Sequence, residues 1–292
     1  VFGKVVGVDQ LDQNTIDLLI KSEIDSKGLE VKYSNGSRLE LKSILVDQFA
    51  HLATNISFKN DGVYLISGGS GKLGQLIAHY LVERFNAKPI AIGRRLQSEV
   101  RLEAHVAYHQ CDITSYDALE KLISSIKSKY GKIDGVIHAA GIIKDSLLVN
   151  KKEEEIKSVL DAKITSAMNL YSILANEPLD FFLSMSSIAS IVGNIGQSDY
   201  ASANSYLDYF SAERNEKVQQ GKRIGKTISI NWPLWKEGGM QVDSDTEQYL
   251  ENRLGINPLN SDIALNAMSD MLNSGITQGF ITAGNPQKLG AI

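Results

Sequence analysis

Short apolar runs alternate with amphipathic stretches along most of this chain. From residue 63 the runs fall at Val63–Ser67, Pro89–Ile92, Val106–Cys111, Gly135–Ala139, Phe181–Met185, Thr227–Asn231 and Phe280–Thr282. Runs this short, closed by polar or glycine residues, read as strands covered on both faces. Between them, about 72–85, 115–130, 153–176, 200–219 and 261–274 carry apolar residues at helical spacing. Strand and helix in strict alternation predict an α/β fold with a doubly wound, seven-stranded parallel sheet.

Residues 1–58 follow another pattern. Leu29–Tyr33 and Arg38–Leu41 alternate apolar and polar positions around Asn35-Gly36, which predicts a hairpin. Two strands and a preceding helical stretch are too little to fold well alone. The segment is therefore expected to be a small α/β appendage packed on the main domain, or the remainder of a truncated one. The polar Lys59-Asn60-Asp61-Gly62 marks the boundary, giving domains 1–58 and 59–292.

Composition narrows the function classes. A net charge of -4 with scattered Lys and Arg gives no reason to expect nucleic acid; the doublets Arg94-Arg95 and Lys151-Lys152 are not patches. No apolar run approaches the roughly 20 residues of a membrane span. The single cysteine, Cys111, cannot form an internal disulfide, so a cytoplasmic setting is expected. The start at Val1 suggests a piece of a longer polypeptide. Alternation along one strand does not converge His109, Cys111 and Asp112, so no metal site is expected.

Between the first strand and the first long helix lies Ser67-Gly68-Gly69-Ser70-Gly71-Lys72-Leu73-Gly74. A glycine-rich turn opening a helix aims backbone N–H groups at a pyrophosphate. The second strand ends in Gly93-Arg94-Arg95, where an acid would hold a ribose 2′-hydroxyl and arginine accommodates a 2′-phosphate. The expected cofactor is therefore NADPH. Asp112, before Ile113, ends the third strand, where its carboxylate could meet an adenine amino group or simply cap the next helix. After the fourth strand, Ala139, Ala140 and Gly141 are small enough to let a nicotinamide ribose approach. His138 reads as a packed core histidine.

Ser187 closes the fifth strand, and Tyr200 and Asn204 follow, four residues apart on one helix face. A phenol acting as an acid near neutral pH needs a cation to stabilise its phenolate. Lys163, inside the apolar stripe Ile156, Val159, Leu160, Ile164, Ala167 and Leu170, is the lysine placed to enter the interior; snorkelling at a helix edge is its ordinary alternative. Asn is mildly unfavourable within a helix, which suggests a task for Asn204, such as holding Lys163 or a relay water. Hydride site and proton donor together read as a reductase.

These residues resemble a ketoreductase domain of a modular polyketide synthase, in the short-chain dehydrogenase/reductase superfamily. The likeness runs over residues 29–292. It rests on the Gly68–Gly74 turn, Gly93-Arg94-Arg95, His138–Gly141, Ala162-Lys163, Ser186-Ser187, Gly193–Asn204, Asn231–Trp235, Gly238-Gly239-Met240 and Gly255–Leu259. Ordinary superfamily members carry the lysine four residues after the tyrosine. Here Asn204 stands there and the lysine lies upstream, as in the synthase domains. Gly141–Ser146 and the residues around Trp232 are similar to synthases whose acyltransferases act in trans.

The resemblance implies a Rossmann-type fold, a catalytic set of Lys163, Ser187, Tyr200 and Asn204, and residues 1–58 as the tail of a truncated structural subdomain. It implies a β-ketoacyl substrate on the phosphopantetheine arm of an acyl carrier protein, with neighbouring synthase domains as further partners. The family's mark for a D-hydroxyl (B-type) product is Leu-Asp-Asp; Ile143-Lys144-Asp145 keeps the last acid. The mark for the L product is a tryptophan at the position of Val192, and the D product is the expectation. Trp235–Leu254 is expected to form a lid. A free-standing fatty-acid β-ketoacyl reductase and a catalytically silent docking domain are the alternatives, disfavoured by the Lys–Asn exchange and by the complete tetrad respectively.

Overall fold

The computed structural model describes residues 5–8, 12–23, 30–34, 37–40, 56–239, 247–248, 251–252, 255–285 and 288. The chain divides into two compact units, Val1–Asp47 and Gln48–Ile292. The first holds β1 (Val5–Val8), α1 (Gln13–Glu23), β2 (Glu30–Ser34) and β3 (Ser37–Glu40). The expected hairpin is present as β2–β3, antiparallel with Ser34 opposite Ser37. β1, too short to stand out in the sequence, adds parallel to β2. Buried Glu23 ties helix to sheet, accepting from Tyr33 Oη at 2.5 Å and from Arg38 Nε at 2.6 Å.

The second unit is the doubly wound sheet. Its elements run β4 (Val63–Ser67), α2 (Lys72–Phe85), β5 (Lys88–Gly93), β6 (Ala107–Gln110), α3 (Tyr116–Tyr130), β7 (Gly135–His138) and α4 (Glu153–Leu160). Then follow α5 (Ser166–Ile173), β8 (Phe181–Ser187), α6 (Ala189–Val192), α7 (Ser198–Gln219) and β9 (Lys226–Trp232). β10 (Ile256–Asn257), α8 (Ser261–Asn273), β11 (Gln278–Phe280) and β12 (Ala283–Gly284) complete it. Seven strands pair in the order β11-β9-β8-β7-β4-β5-β6, all parallel. The order reverses at β4, and ligands of such sheets bind at that reversal, outside the carboxyl ends of the strands.

Continuous apolar strands follow from cover on both faces. Tyr64, Ile66, Phe181 and Leu183 face one core with α2 and α8; Val63, Leu65, Val136 and Phe182 face the other with α3, α5 and α7. Each such side chain gains about 1.5–3 kcal/mol on burial. Phe58 packs edge-on to Tyr64 and Phe181 in the first of these cores.

Two sequence expectations need correction. The strand expected at Phe280–Thr282 is β11, Gln278–Phe280, so Thr282 lies beyond it. The helix expected over 153–176 is interrupted: Asp161–Thr165 is a π-helical turn between α4 and α5. Hydrophobic spacing passes through such a turn without a break, and π-turns of this kind are frequent at functional sites. Most of the expected lid, Trp235–Leu254, lies outside the described residues.

Candidate functional site

The glycine turn is shaped by contacts that leave no room for side chains. Gly68 has φ +68°, and a Cβ there would sit 2.7 Å from Ala139 O and 2.8 Å from Ala140 Cα. On Gly74 a Cβ would meet Gly68 O and Gly69 Cα, both at 2.6 Å, so glycine lets α2 close onto the turn. Gly71 caps α2 without a side-chain acceptor, so the first-turn N–H groups of α2 are not taken up by a cap side chain. Anions bind at helix starts of this form.

Beside the turn, Ser70 is buried and its carbonyl accepts from Arg95 Nη1 at 3.4 Å. Arg94 and Arg95 are exposed at the mouth. Arg94, Gln110, Cys111, Asp112, Ala118 and Leu122 line an open cleft of about 420 Å³. Asp112 Oδ1 accepts the N–H of Thr114 at 3.0 Å and its hydroxyl at 2.8 Å, so the residue both shapes the turn before α3 and lines the cleft. Asn169 on α5, which the sequence did not single out, fixes that turn by donating to Ile113 O and Thr114 O, each at 3.0 Å. A closed glycine cradle, two arginines at its mouth and an adjoining cleft fit a phosphorylated dinucleotide.

At the same end of the sheet the proton-handling residues converge. Lys163, 3% exposed, projects from the π-turn. Its Nζ lies 5.6 Å from the Tyr200 ring centroid and donates to Met185 O at 2.9 Å. Asn204 donates to Tyr200 O at 2.8 Å, while its Oδ1 is buried with no partner among the described residues. A buried acceptor left open calls for a functional explanation. Ser187 Oγ accepts from Ala189 N at 3.1 Å at the end of β8. Gly141 lies against the lysine: a Cβ there would be 3.1 Å from Lys163 Cε.

Burial raises the Tyr200 phenol above its ordinary value, and the Asn204 and Ser187 side chains work against that rise. Burial also brings Lys163 down to about 8, with the negative charge of Asp208 opposing it. The ammonium is thus spent on a β8 carbonyl and the ring face, and the groups that ease the phenol are the amide and hydroxyl beside it.

His138 is a core residue, held neutral by burial with its value near 3. Its Nε2 donates to Lys163 O at 3.0 Å, so Nδ1 accepts from Ser67 Oγ at 2.7 Å, and Ser67 in turn accepts from Ala140 N. The carbonyl opened by the π-turn is satisfied in this way. Lys163 is not alone inside: the Lys151 side chain is also buried, paired with Asp199 at 2.8 Å. Its place in a basic doublet after Asn150 disguised this. Among the described residues the metal-capable triad found is His79, Glu83 and Glu103, all exposed.

Comparison with known proteins places these features in company. The model of the family described as KR domain matches residues 62–237. Polyketide synthase PksN of Bacillus subtilis is 36% identical over 97% of this chain, and polyketide synthase PksL of the same organism 36% identical over 82%. The chain spans only 5% and 6% of those two proteins' lengths. The crystal structure of a ketoreductase domain from the bacillaene assembly line superposes with a TM-score of 0.86 at 32% identity, covering 99% of this chain and 72% of that one.

Proposed function

This chain belongs to the KR domain family, the ketoreductase domains of polyketide synthases, and from that premise we propose that it reduces a β-ketoacyl thioester to the β-hydroxyacyl thioester. The observation that carries the reading is the convergence of Lys163, Ser187, Tyr200 and Asn204 beside the Gly68–Gly74 cradle. NADPH would be held by the cradle, by Arg94 and Arg95 for its 2′-phosphate, and by Asp112, Ile113, Ala139, Ala140 and Gly141, and would supply the hydride when bound.

Ser187 and Tyr200 donate hydrogen bonds to the β-carbonyl oxygen, and Tyr200 passes its proton to that oxygen as charge develops there. The buried Lys163 ammonium stabilises the phenolate left behind. Asn204 Oδ1 takes up the lysine or a water that returns the proton. The substrate arrives on the phosphopantetheine arm of an acyl carrier protein within a trans-acyltransferase synthase, among neighbouring domains. The first unit, which closes at Asp47 rather than at the expected 58 because Phe58 packs in the core of the second, serves as the remnant of a truncated structural subdomain.

Steady-state oxidation of NADPH by a simple β-ketoacyl thioester tests the reading, and a wild-type protein that binds NADPH without oxidising it would overturn it. The product is expected to be the D alcohol, checked by chiral analysis. Replacing Arg94 and Arg95 by Ala removes charge-assisted phosphate contacts and should cut the preference for NADPH over NADH at least about tenfold. Fluorescence titration with both cofactors measures that ratio.

A further inference from the structure

Tyr200 stands in the first turn of α7, and Gln197 at the cap position makes no side-chain hydrogen bond to that turn. Helix ends fray, and their first N–H groups need acceptors from elsewhere. A phenol that must meet a carbonyl oxygen at hydrogen-bond distance therefore needs its backbone held from outside the helix. Asp199 begins that hold. Its Oδ1 accepts the Tyr200 N–H at 2.9 Å, and the same atom pairs with Lys151 Nζ at 2.8 Å. The two side chains are 2% and 0% exposed, and Asp199 Oδ2 has no hydrogen-bond partner among the described residues.

Lys151 lies on the segment that runs from β7 to α4. Its Nζ also donates to Lys144 O at 2.5 Å, bracing that segment across itself. Two further bonds join the segment to the approach to α7. Ser146 N donates to Gly196 O at 3.0 Å, and Gln197 Nε2 donates to Asp145 Oδ2 at 3.0 Å. Ile142 and Ile143 pack against the cluster of Tyr200, Val159 and Ala189, so the segment forms a wall of the pocket. Its tip is different: Leu147, Leu148 and Val149 are exposed, so their burial does not hold it down. Polar ties fasten it, with a buried ion pair at its end.

Taking two charges out of water is costly, so a buried pair is weak evidence of stability, and its place suggests another use. We infer that Lys151 and Asp199 are positioning residues: their buried pair clamps the 142–151 segment to the first turn of α7 and so sets where the Tyr200 hydroxyl stands. Lys151 acts through Asp199, and Asp199 through the Tyr200 backbone. The purpose of the clamp rests on the reductase reading; its existence does not.

Three variants test it: Lys151→Met, Asp199→Asn and the two together. Asn keeps an acceptor for the Tyr200 N–H and loses the charge. Each single change leaves one buried charge without its partner and should lower Tm. The double change leaves neither charge, so its Tm should return most of the way to wild type. Turnover should not return. All three lack the clamp, so kcat with a β-ketoacyl thioester should fall about 10–10²-fold in each, with NADPH affinity within about twofold of wild type. Hydrogen–deuterium exchange read by mass spectrometry, without substrate, should be at least about tenfold faster over residues 142–150 and 197–204 of the double variant. Exchange over β4 should not change. Recovery of kcat together with Tm in the double variant would mark a purely structural pair. That result, or unchanged exchange over 197–204, would overturn the inference. Where a single variant does not fold, the double variant carries every readout, since it buries no unpaired charge. A wild type without turnover would strike the reductase reading alone, and exchange would still decide the clamp.

Discussion

Tyr200→Phe is expected to lower turnover of a β-ketoacyl thioester by at least about 10²-fold while NADPH affinity stays within about twofold of wild type. The reason lies in what the substitution removes and what it leaves. The ring keeps its packing against Val159 and Ala189 and its place 5.6 Å from the Lys163 ammonium, so the pocket retains its shape. Only the hydroxyl goes, and with it the proton for the developing alkoxide. Ser187 still donates one hydrogen bond to the carbonyl oxygen, which leaves residual activity. Because burial raises the phenol, Tyr200 enters the reaction neutral and able to donate throughout the physiological range. Steady-state kinetics with a parallel fluorescence titration of NADPH separate the loss of chemistry from any loss of binding. Near-normal turnover would remove Tyr200 from the role.

Gly68→Ala should be as damaging for a different reason. At φ +68° an alanine is strained by about 1–3 kcal/mol before any contact is counted. Its Cβ would press on Ala139 O at 2.7 Å and Ala140 Cα at 2.8 Å, and both are backbone atoms of the strand end expected to line the nicotinamide ribose. Relief requires the turn and the β7 end to separate, which re-aims the N–H groups that start α2. Expected are a lower Tm and a loss of NADPH affinity of at least about tenfold, read by thermal unfolding and fluorescence titration. Unchanged affinity would mean that the turn does not hold the dinucleotide.

The sheet was legible because its strands are covered on both faces: Val63–Ser67 reads apolar end to end since Tyr64 and Leu65 each have a core to enter. The glycine turn was legible because close backbone approach admits few residue types. What escaped the sequence was burial without an apolar signature. The buried face of α7 mixes Tyr200, Asn204, Asp208 and Ser211 with Ala203, Leu207 and Phe210, so the apolar spacing marks the face while hiding that these polar residues share it. The π-turn at Lys163 inserts no foreign residue type, and its carbonyl partner His138 lies 25 positions away at the end of β7. Lys151 looked solvated because nothing local signals that it meets Asp199. Such pairings are properties of the tertiary fold.

The lysine's setting is also a tertiary outcome. An upstream ammonium beside the phenol was readable as a possibility; that its Nζ would bond to Met185 O was not. The electrostatics therefore rest on the whole pocket: an un-ionised phenol, an ammonium brought down to about 8, and a buried Asn204 amide oxygen left open.

The most direct measurement is a single turnover with NADPH deuterated at the transferable position and a simple β-ketoacyl thioester, followed by mass analysis of the product. Hydride delivery at this site requires one deuterium on the β-carbon of a β-hydroxyacyl thioester, formed by the wild type and suppressed in Tyr200→Phe. A product without the label, or equal labelling by both proteins, would contradict the account.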